Sequence, residues 1–100
     1  MNILIEDAEA TFKACLETLK KKNNDYAGKG TADPFKNFKN SLVVGVPVQK
    51  GILVRLMDKM TRVANLLDQE AAVKDESITD TIDDMINYLA ILKSSIKNKI

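Results

Sequence analysis

The sequence lacks histidine and tryptophan and has one cysteine, two prolines and four glycines among 100 residues. Without histidine, a Ser-His-Asp triad, a His-Cys zinc site and a histidine general base are excluded. A single cysteine excludes an intramolecular disulfide, and Cys15 lies within a helical apolar pattern, so we predict that it is buried and not a reactive thiol. No apolar run approaches the roughly 20 residues of a membrane span, and the N-terminus does not resemble a signal peptide. We therefore expect a cytoplasmic protein with no membrane contact.

The composition favours one small helical domain. Hydrophobic residues make up 45% and charged residues 29%, an ordinary balance for a globular chain, whereas aromatic residues are only 5%. Because strands favour aromatic and β-branched residues, this balance suits helices better than a sheet. We predict a single all-α domain over residues 1–100, a bundle of three long helices and one short one, and expect that it associates with copies of itself.

Four segments show the periodicity of helices, separated by turn-forming residues. Asp33 is a plausible N-cap followed by Pro34 at the first helical position. The predicted helices run over Leu4–Lys22, Phe35–Val43, Val48–Asp68 and Glu76–Lys97.

Each long helix has an apolar face that we expect to pack in the core. On the first helix this face comprises Ile5, Ala8, Phe12, Cys15, Leu16 and Leu19. On the third helix it comprises Ile52, Leu56, Met60, Val63 and Leu67. On the last helix it comprises Ile78, Ile82, Met85, Leu89, Leu92 and Ile96.

The net charge is +1, but the charged residues are unevenly distributed along the chain. Residues 19–40 contain six lysines, and residues 75–92 contain five acidic residues and no basic one. The oxygen-bearing side chains of the last helix share one face, formed by Glu76, Asp80, Asp83, Asp84 and Asn87. One interpretation is a solvated surface whose acids favour the helix N-terminus. The other is a site for a hard divalent cation, because like charges at i,i+4 repel unless a cation neutralises them. The sequence leaves both interpretations open.

A second polar stripe lies on the third helix and consists of Arg55, Asp58, Arg62 and Asn65. It is either a surface ladder of ion pairs, worth little to stability, or a functional set in which Asp58 binds a cation and the arginines bind phosphate. The basic, lysine-rich stretch of residues 20–40, which precedes this helix, also contains the aromatic residues Tyr26, Phe35 and Phe38. Lysines mixed with aromatic residues suit a nucleotide site, but the aromatic residues could equally pack in the core. Residues 28–31 are not a P-loop, since the GxxxxGK[ST] spacing is missing.

Three segments in order resemble the nucleotide-modification-associated domain type 1, a group common in bacteriophage genomes and similar to the MazG and dimeric dUTPase superfamily of all-α nucleotide pyrophosphatases. The resemblance covers roughly residues 20–92. The segments are Lys22–Tyr26 with Asp33–Phe38, Arg55–Arg62 with Asn65–Leu67, and Asp75–Thr81 with Asp84 and Asn87-Tyr88.

The resemblance implies an oligomeric helical bundle that uses Mg²⁺ to hydrolyse a nucleoside triphosphate to monophosphate and pyrophosphate. It implies catalytic roles for Asp58, Asp80 and Asp84, with Asp83 and Glu76 as further metal ligands. The usual ExxE pair of the preceding helix is incomplete, because the residues three positions from Asp58 are Arg55 and Thr61. The implied substrate-binding residues are Lys22, Asp25, Tyr26, Asn37, Phe38, Arg55, Arg62, Asn65 and Asn87.

The leading hypothesis is therefore a Mg²⁺-dependent nucleotide-binding protein, expected to be a nucleotide pyrophosphatase. The alternative is a non-catalytic phage protein that sequesters a nucleotide signal or inhibits a host protein, as the incomplete acid set suggests. Nucleic-acid binding is a distant third, because the acidic face would repel phosphate and the basic stretch is short.

Overall fold

The computed structural model describes residues 2–27, 33–69 and 71–100, with side chains described for residues 2–23, 33–69 and 78–100. The elements, in chain order, are α1, a 3-10 helix, α2 and α3. Within these ranges every regular element is helical, which confirms the predicted all-α class and the three long helices with one short one. Their bounds are Ile3–Ala27 for α1, Lys36–Val44 for the 3-10 helix, Val48–Leu66 for α2 and Ala71–Lys97 for α3.

Two predicted helix ends were wrong, each by five residues. Helix α1 continues to Ala27 instead of ending at Lys22, and α3 begins at Ala71 instead of Glu76. Asparagine and aspartate disfavour a helix interior by only about 0.7 kcal/mol each, which is too little to end a long helix. The residues that open α3 include two alanines, the strongest helix former. Local turn propensity therefore misplaced both ends.

The 3-10 helix is anchored at its start by Asp33. The Asp33 carboxylate accepts a hydrogen bond from the backbone N–H of Phe35 at 2.9 Å, and it pairs with the Lys39 ammonium group. Asp33 thus closes a turn ahead of the helix, which begins at Lys36 and not at the predicted Phe35. The helix ends at Gly45, whose φ of 76° is left-handed and therefore favours glycine.

The core lies between α2 and α3, which run antiparallel. The Gln49 amide near the start of α2 donates a hydrogen bond to the backbone carbonyl of Ile100 at 3.1 Å, while Lys59 approaches Asp84 farther along. The buried core cluster and the half-buried side chains packed on it comprise Val48, Ile52, Leu56, Phe38, Met85, Tyr88, Ile91, Leu92 and Ile100. The 3-10 helix contributes Phe38, so core packing accounts for one of the aromatic residues of the basic stretch.

Helix α1 contacts α3 through Cys15. The thiol is buried, as predicted, and donates to the backbone carbonyl of Asp83 at 3.8 Å. The Asn87 amide donates to the Cys15 carbonyl at 3.0 Å, so the two helices are joined in both directions. Burial, reinforced by the negative charge of Asp83, raises the pKa of the Cys15 thiol.

The core face predicted for the last helix is rotated in the structure. Met85 and Leu92 pack on the core as predicted, but Ile82, Leu89 and Ile96 are exposed. Thr81 and Ser95 are buried in their place. The Ser95 hydroxyl donates to the Leu92 carbonyl at 2.7 Å, which satisfies a buried polar group within its own helix.

The predicted core faces of the other two long helices are likewise only partly covered. On α1, Ile5, Phe12 and Leu16 are exposed. On α2, Ile52 and Leu56 are buried as predicted, whereas Met60 and Leu67 are exposed. In the part of the chain that the structure describes, no helix is long and apolar enough to cross a bilayer.

Candidate functional site

A cleft of about 880 Å³ lies between α1, the segment from Asp33 to Asn40, Arg55 of α2, and α3. Its volume falls within the range of sites that bind small ligands and cofactors. Helix α1 supplies two lysines and an apolar edge, while α3 supplies the acid Asp84, the amide of Asn87, and the hydroxyl groups of Tyr88 and Ser94. The side chains on which the following argument depends are Lys20, Lys22, Asp33, Phe35, Lys36, Asn37, Phe38, Arg55, Asp84, Asn87 and Tyr88.

Arg55 is held in the cleft wall by an aromatic pair. Its guanidinium carbon lies 5.0 Å from the centroid of the Phe38 ring, within the range of a cation–π contact. Phe38 in turn meets Tyr88 edge to face, with ring centroids 6.1 Å apart and planes at 89°. The aromatic pair joins the 3-10 helix to α3, so it fixes the position of Arg55 relative to both elements.

Asp84 is shared between two lysines. Lys22 Nζ lies 3.6 Å from one carboxylate oxygen, and Lys59 Nζ lies 3.4 Å from the other. The carboxylate is half-buried at the junction of all three long helices, so these pairs connect α1 and α2 to α3. Two ammonium groups around one carboxylate leave an excess of positive charge.

The charged residues that line the cleft are predominantly cationic. Among the lining residues that the structure describes, four cations, Lys20, Lys22, Lys36 and Arg55, face two acids, Asp33 and Asp84, which leaves a net charge of +2. Both acids are already paired with lysines. The hydrogen bonds from Lys39 and from the Phe35 backbone hold the pKa of Asp33 below its ordinary value, so this acid stays ionised and paired. The cleft therefore favours an anionic ligand.

The structure brings together six of the residues predicted from the sequence and leaves five others outside the cleft. Lys22, Asn37, Phe38, Arg55, Asp84 and Asn87 line it. Asp58, Arg62, Asn65, Asp80 and Asp83 do not, and all but the half-buried Asp83 are exposed. Because Asp58 lies about 60° farther round α2 than Arg55, it points away from α3. The side chains of Asp25, Tyr26 and Glu76 lie outside the described residues.

The side chains around Asp84 do not fit a Mg²⁺ ion. The α2 residue that meets Asp84 is Lys59, not the expected Asp58. Lys22 approaches from the other side, and ammonium groups repel a divalent cation where carboxylate oxygens would bind it. Among the described side chains, no three acidic, histidine or cysteine residues converge to form a metal site. Mg²⁺ binding and its ligand set stay predictions.

Sequence reasoning assigned no site role to two residues that prove important here. Lys59 lies beside Asp58 in sequence, yet it is the side chain that pairs with Asp84. Tyr88 appears in the sequence analysis only within a segment of the family resemblance, whereas in the structure it lines the cleft and supports Phe38. The relevant signal for Tyr88 was its spacing of four residues from Asp84, which places both on one side of α3.

Comparison with known proteins found no family model, no curated protein and no solved structure that matches this chain.

Proposed function

We propose that this protein binds a phosphate-bearing nucleotide in the cleft between α1, the 3-10 helix, α2 and α3. The observation that carries the proposal is the pairing of excess positive charge with aromatic side chains in one cavity of ligand size. In the described part of the cleft lining, four cations face two acids that already have lysine partners. A phosphate group would complete the charge balance.

In this proposal, Arg55 binds phosphate oxygens through its planar fork of donors, which matches their geometry. Lys20, Lys22 and Lys36 add positive charge around the same ligand. Phe35 and Tyr88 offer aromatic surface for the base, since every base has a face that stacks on an aromatic ring. The side-chain amide of Asn37 is suited to donate to or accept from a base or sugar edge.

The family resemblance implies a different form of the protein, a nucleotide pyrophosphatase that hydrolyses a nucleoside triphosphate with Mg²⁺ and with Asp58, Asp80 and Asp84 as the catalytic acids. The cleft does not support this form, because Asp58 and Asp80 do not line it and two lysines surround Asp84. The alternative is a protein that sequesters a nucleotide without hydrolysing it, with or without a host protein as a further partner. The contact of Asp84 with two lysines favours this alternative, because it supports phosphate binding without a metal.

Calorimetric titration with each common ribo- and deoxyribonucleoside triphosphate tests the binding proposal, first in EDTA and then in Mg²⁺. Arg55→Leu removes the cleft guanidinium, and Arg62→Leu is a matched control, since Arg62 is an exposed arginine of the same helix that does not line the cleft. We expect Arg55→Leu to weaken binding at least about tenfold, equivalent to about 1.4 kcal/mol, and Arg62→Leu to change it less than about twofold. Absence of binding by every nucleotide, or equal losses in both variants, would contradict the proposal.

A pyrophosphate-release assay then separates hydrolysis from sequestration. Release that needs Mg²⁺ and is lost in both Asp58→Asn and Asp80→Asn would establish the enzymatic form of the proposal. Tight nucleotide binding without release, unchanged in both variants, would establish the sequestering form. Lys93→Gln is a suitable control, since this exposed lysine lies outside the cleft.

A further inference from the structure

The α3 side of the cleft carries an acid and an amide that phosphate binding does not explain. Asp84 and Asn87 both line the cleft and are three residues apart, so they lie on one face of α3. A carboxylate repels a phosphate group, so an uncharged side chain at position 84 would suit an anionic ligand better. Asp84 therefore lowers the affinity for phosphate unless it makes a favourable contact with another part of the ligand.

The two lysines beside Asp84 do not use its full capacity to accept hydrogen bonds. Lys59 donates to Oδ2 at 3.4 Å, and Lys22 Nζ lies 3.6 Å from Oδ1, which is too far for a hydrogen bond. A carboxylate offers about four acceptor positions. The Lys22 side chain is also 51% exposed, so its ion pair with Asp84 contributes little. The Oδ1 atom of Asp84 is therefore available to a donor on a ligand.

The amide of Asn87 is oriented so that it adds a second acceptor. Its nitrogen donates to the Cys15 carbonyl at 3.0 Å, which joins α3 to α1. The amide oxygen therefore points away from that carbonyl, and among the described residues no donor contacts it. Because an amide oxygen accepts hydrogen bonds and cannot donate them, Asn87 and Asp84 together offer acceptors to a ligand.

The Asp84 acceptor lies about one helical turn from Arg55 along the cleft. Lys59 pairs with Asp84, and Arg55 precedes Lys59 by four residues on α2. Because α2 and α3 are antiparallel, Arg55 lies level with Tyr88, one turn farther along α3. The Phe38 ring contacts both Arg55 and Tyr88, in agreement with this register. Arg55 and Asp84 are therefore separated by about 6 Å along the helix axes.

A 5′-ribonucleotide carries complementary groups in the same order. Its phosphate is attached at one side of the sugar, and two neighbouring hydroxyl groups, the 2′-OH and the 3′-OH, leave the sugar at the other side. A phosphate bound by Arg55 thus directs these hydroxyl groups along the cleft toward Asp84. Acidic side chains accept hydrogen bonds from ribose hydroxyl groups in the same way in dinucleotide-binding folds. A 2′-deoxyribonucleotide offers one hydroxyl donor fewer to the acceptors of α3.

We propose that Asp84 and Asn87 bind the ribose hydroxyl groups of the ligand, so that the cleft selects ribonucleotides over 2′-deoxyribonucleotides. This inference rests on the nucleotide binding proposed above and names the class of nucleotide. Arg55 binds phosphate, and Asp84 accepts a hydrogen bond from the sugar one turn away. Without the 2′-OH, a half-buried carboxylate keeps its cost to phosphate binding and loses the donor that offsets it. Sites built to hydrogen-bond a hydroxyl group reject analogues that lack it.

Calorimetric titration in EDTA with matched pairs of nucleotides tests the selectivity. The probes are the 5′-triphosphates of adenosine, guanosine, cytidine and uridine, each compared with its own 2′-deoxy form so that base and phosphates are the same. For the ribonucleotide that binds most tightly, we expect the 2′-deoxy form to bind at least about tenfold more weakly, which is the contribution of one hydrogen bond to a charged group.

Asp84→Ala tests whether the carboxylate is the source of the selectivity. We expect the preference for the ribonucleotide to fall below about threefold in this variant, whereas a merely structural role would change the binding of both sugars alike. Glu17→Ala is the control for the lost negative charge and should keep the full preference, since Glu17 is exposed on α1 and does not line the cleft. Circular dichroism checks that each variant is helical. If Asp84→Ala fails to fold, Asp84→Asn keeps the size of the side chain and should reduce the preference at least about threefold.

The outcomes separate this inference from the proposed function. Equal affinities for the two sugars, or tighter binding of the 2′-deoxy form, would overturn the inference while nucleotide binding itself would stand. A ribose preference that survives the substitution of Asp84, or that Glu17→Ala removes equally, would also overturn it. Absence of binding by every nucleotide would contradict the proposed function and this inference together.

Discussion

Gly51 allows the 3-10 helix to pack directly against α2. A Cβ atom built at this position would lie 2.9 Å from both the Cβ and the Oγ of Ser41, closer than side-chain carbons normally approach. Ser41 cannot move away freely, because its hydroxyl donates to the Val46 carbonyl at 2.9 Å. Gly51→Ala therefore tests whether this contact holds the segment that carries Phe38.

Two opposing effects determine the size of the change. Replacing glycine by alanine inside a helix normally stabilises it by about 1 kcal/mol. Overpacking a tight contact typically costs about 1–3 kcal/mol. We therefore expect Gly51→Ala to lower the free energy of unfolding by about 0–2 kcal/mol, whereas at an open helical position the same change would raise it.

A double-mutant cycle with Ser41→Gly isolates the steric contact, because Ser41→Gly removes both atoms that clash. Urea unfolding followed by circular dichroism gives the free energy of unfolding for each of the four proteins. In the Ser41→Gly background, Gly51→Ala should stabilise by up to about 1 kcal/mol. The expected coupling between the two positions is about 1–3 kcal/mol. If Gly51→Ala stabilises both backgrounds equally, the close approach of these two helices is wrong.

Two further predictions follow from single side chains. Burial raises the pKa of the Cys15 thiol. Its alkylation at pH 8 should therefore be at least about tenfold slower in the folded protein than in urea. Equal rates would contradict the burial of Cys15 between α1 and α3. Asp33 has a lowered pKa, so its pairing with Lys39 should stabilise the fold above the ordinary carboxyl pKa of about 3.9 and be lost as pH falls through the folded value. NMR titration should show the pKa of Asp33 rising toward its ordinary value in Lys39→Met, and an unchanged midpoint would rule out the pair.

The helical class and the number of helices could be predicted from the sequence because apolar periodicity is a local property. The positions at which α1 and α3 end could not, since residues 23–25 and 71–75 differ too little in helix propensity to fix an end. Tertiary packing also decided which part of each apolar stripe is covered. Ser95, outside the predicted stripe, is buried, whereas Leu89 within it is exposed.

Part of the candidate site could be predicted from the sequence, because several of its residues lie in the segments that resemble a known family. Arg55 and Phe38 belong to segments that the family resemblance identified, and the structure places them in contact. Asp58 and Asp84 were expected to face each other, but Lys59 takes that place. The difference arises from the rotation of α2 against α3, since one residue along a helix turns the side chain by about 100°.

The binding cleft itself is tested most directly by an NMR titration of the labelled protein with a nucleoside triphosphate in EDTA. We expect the largest amide shifts on Lys22, Asn37, Phe38, Arg55 and Asn87, and little shift on Asp58 and Asp80. Absence of shifts, or shifts centred on Asp58 and Asp80 that need Mg²⁺, would contradict it.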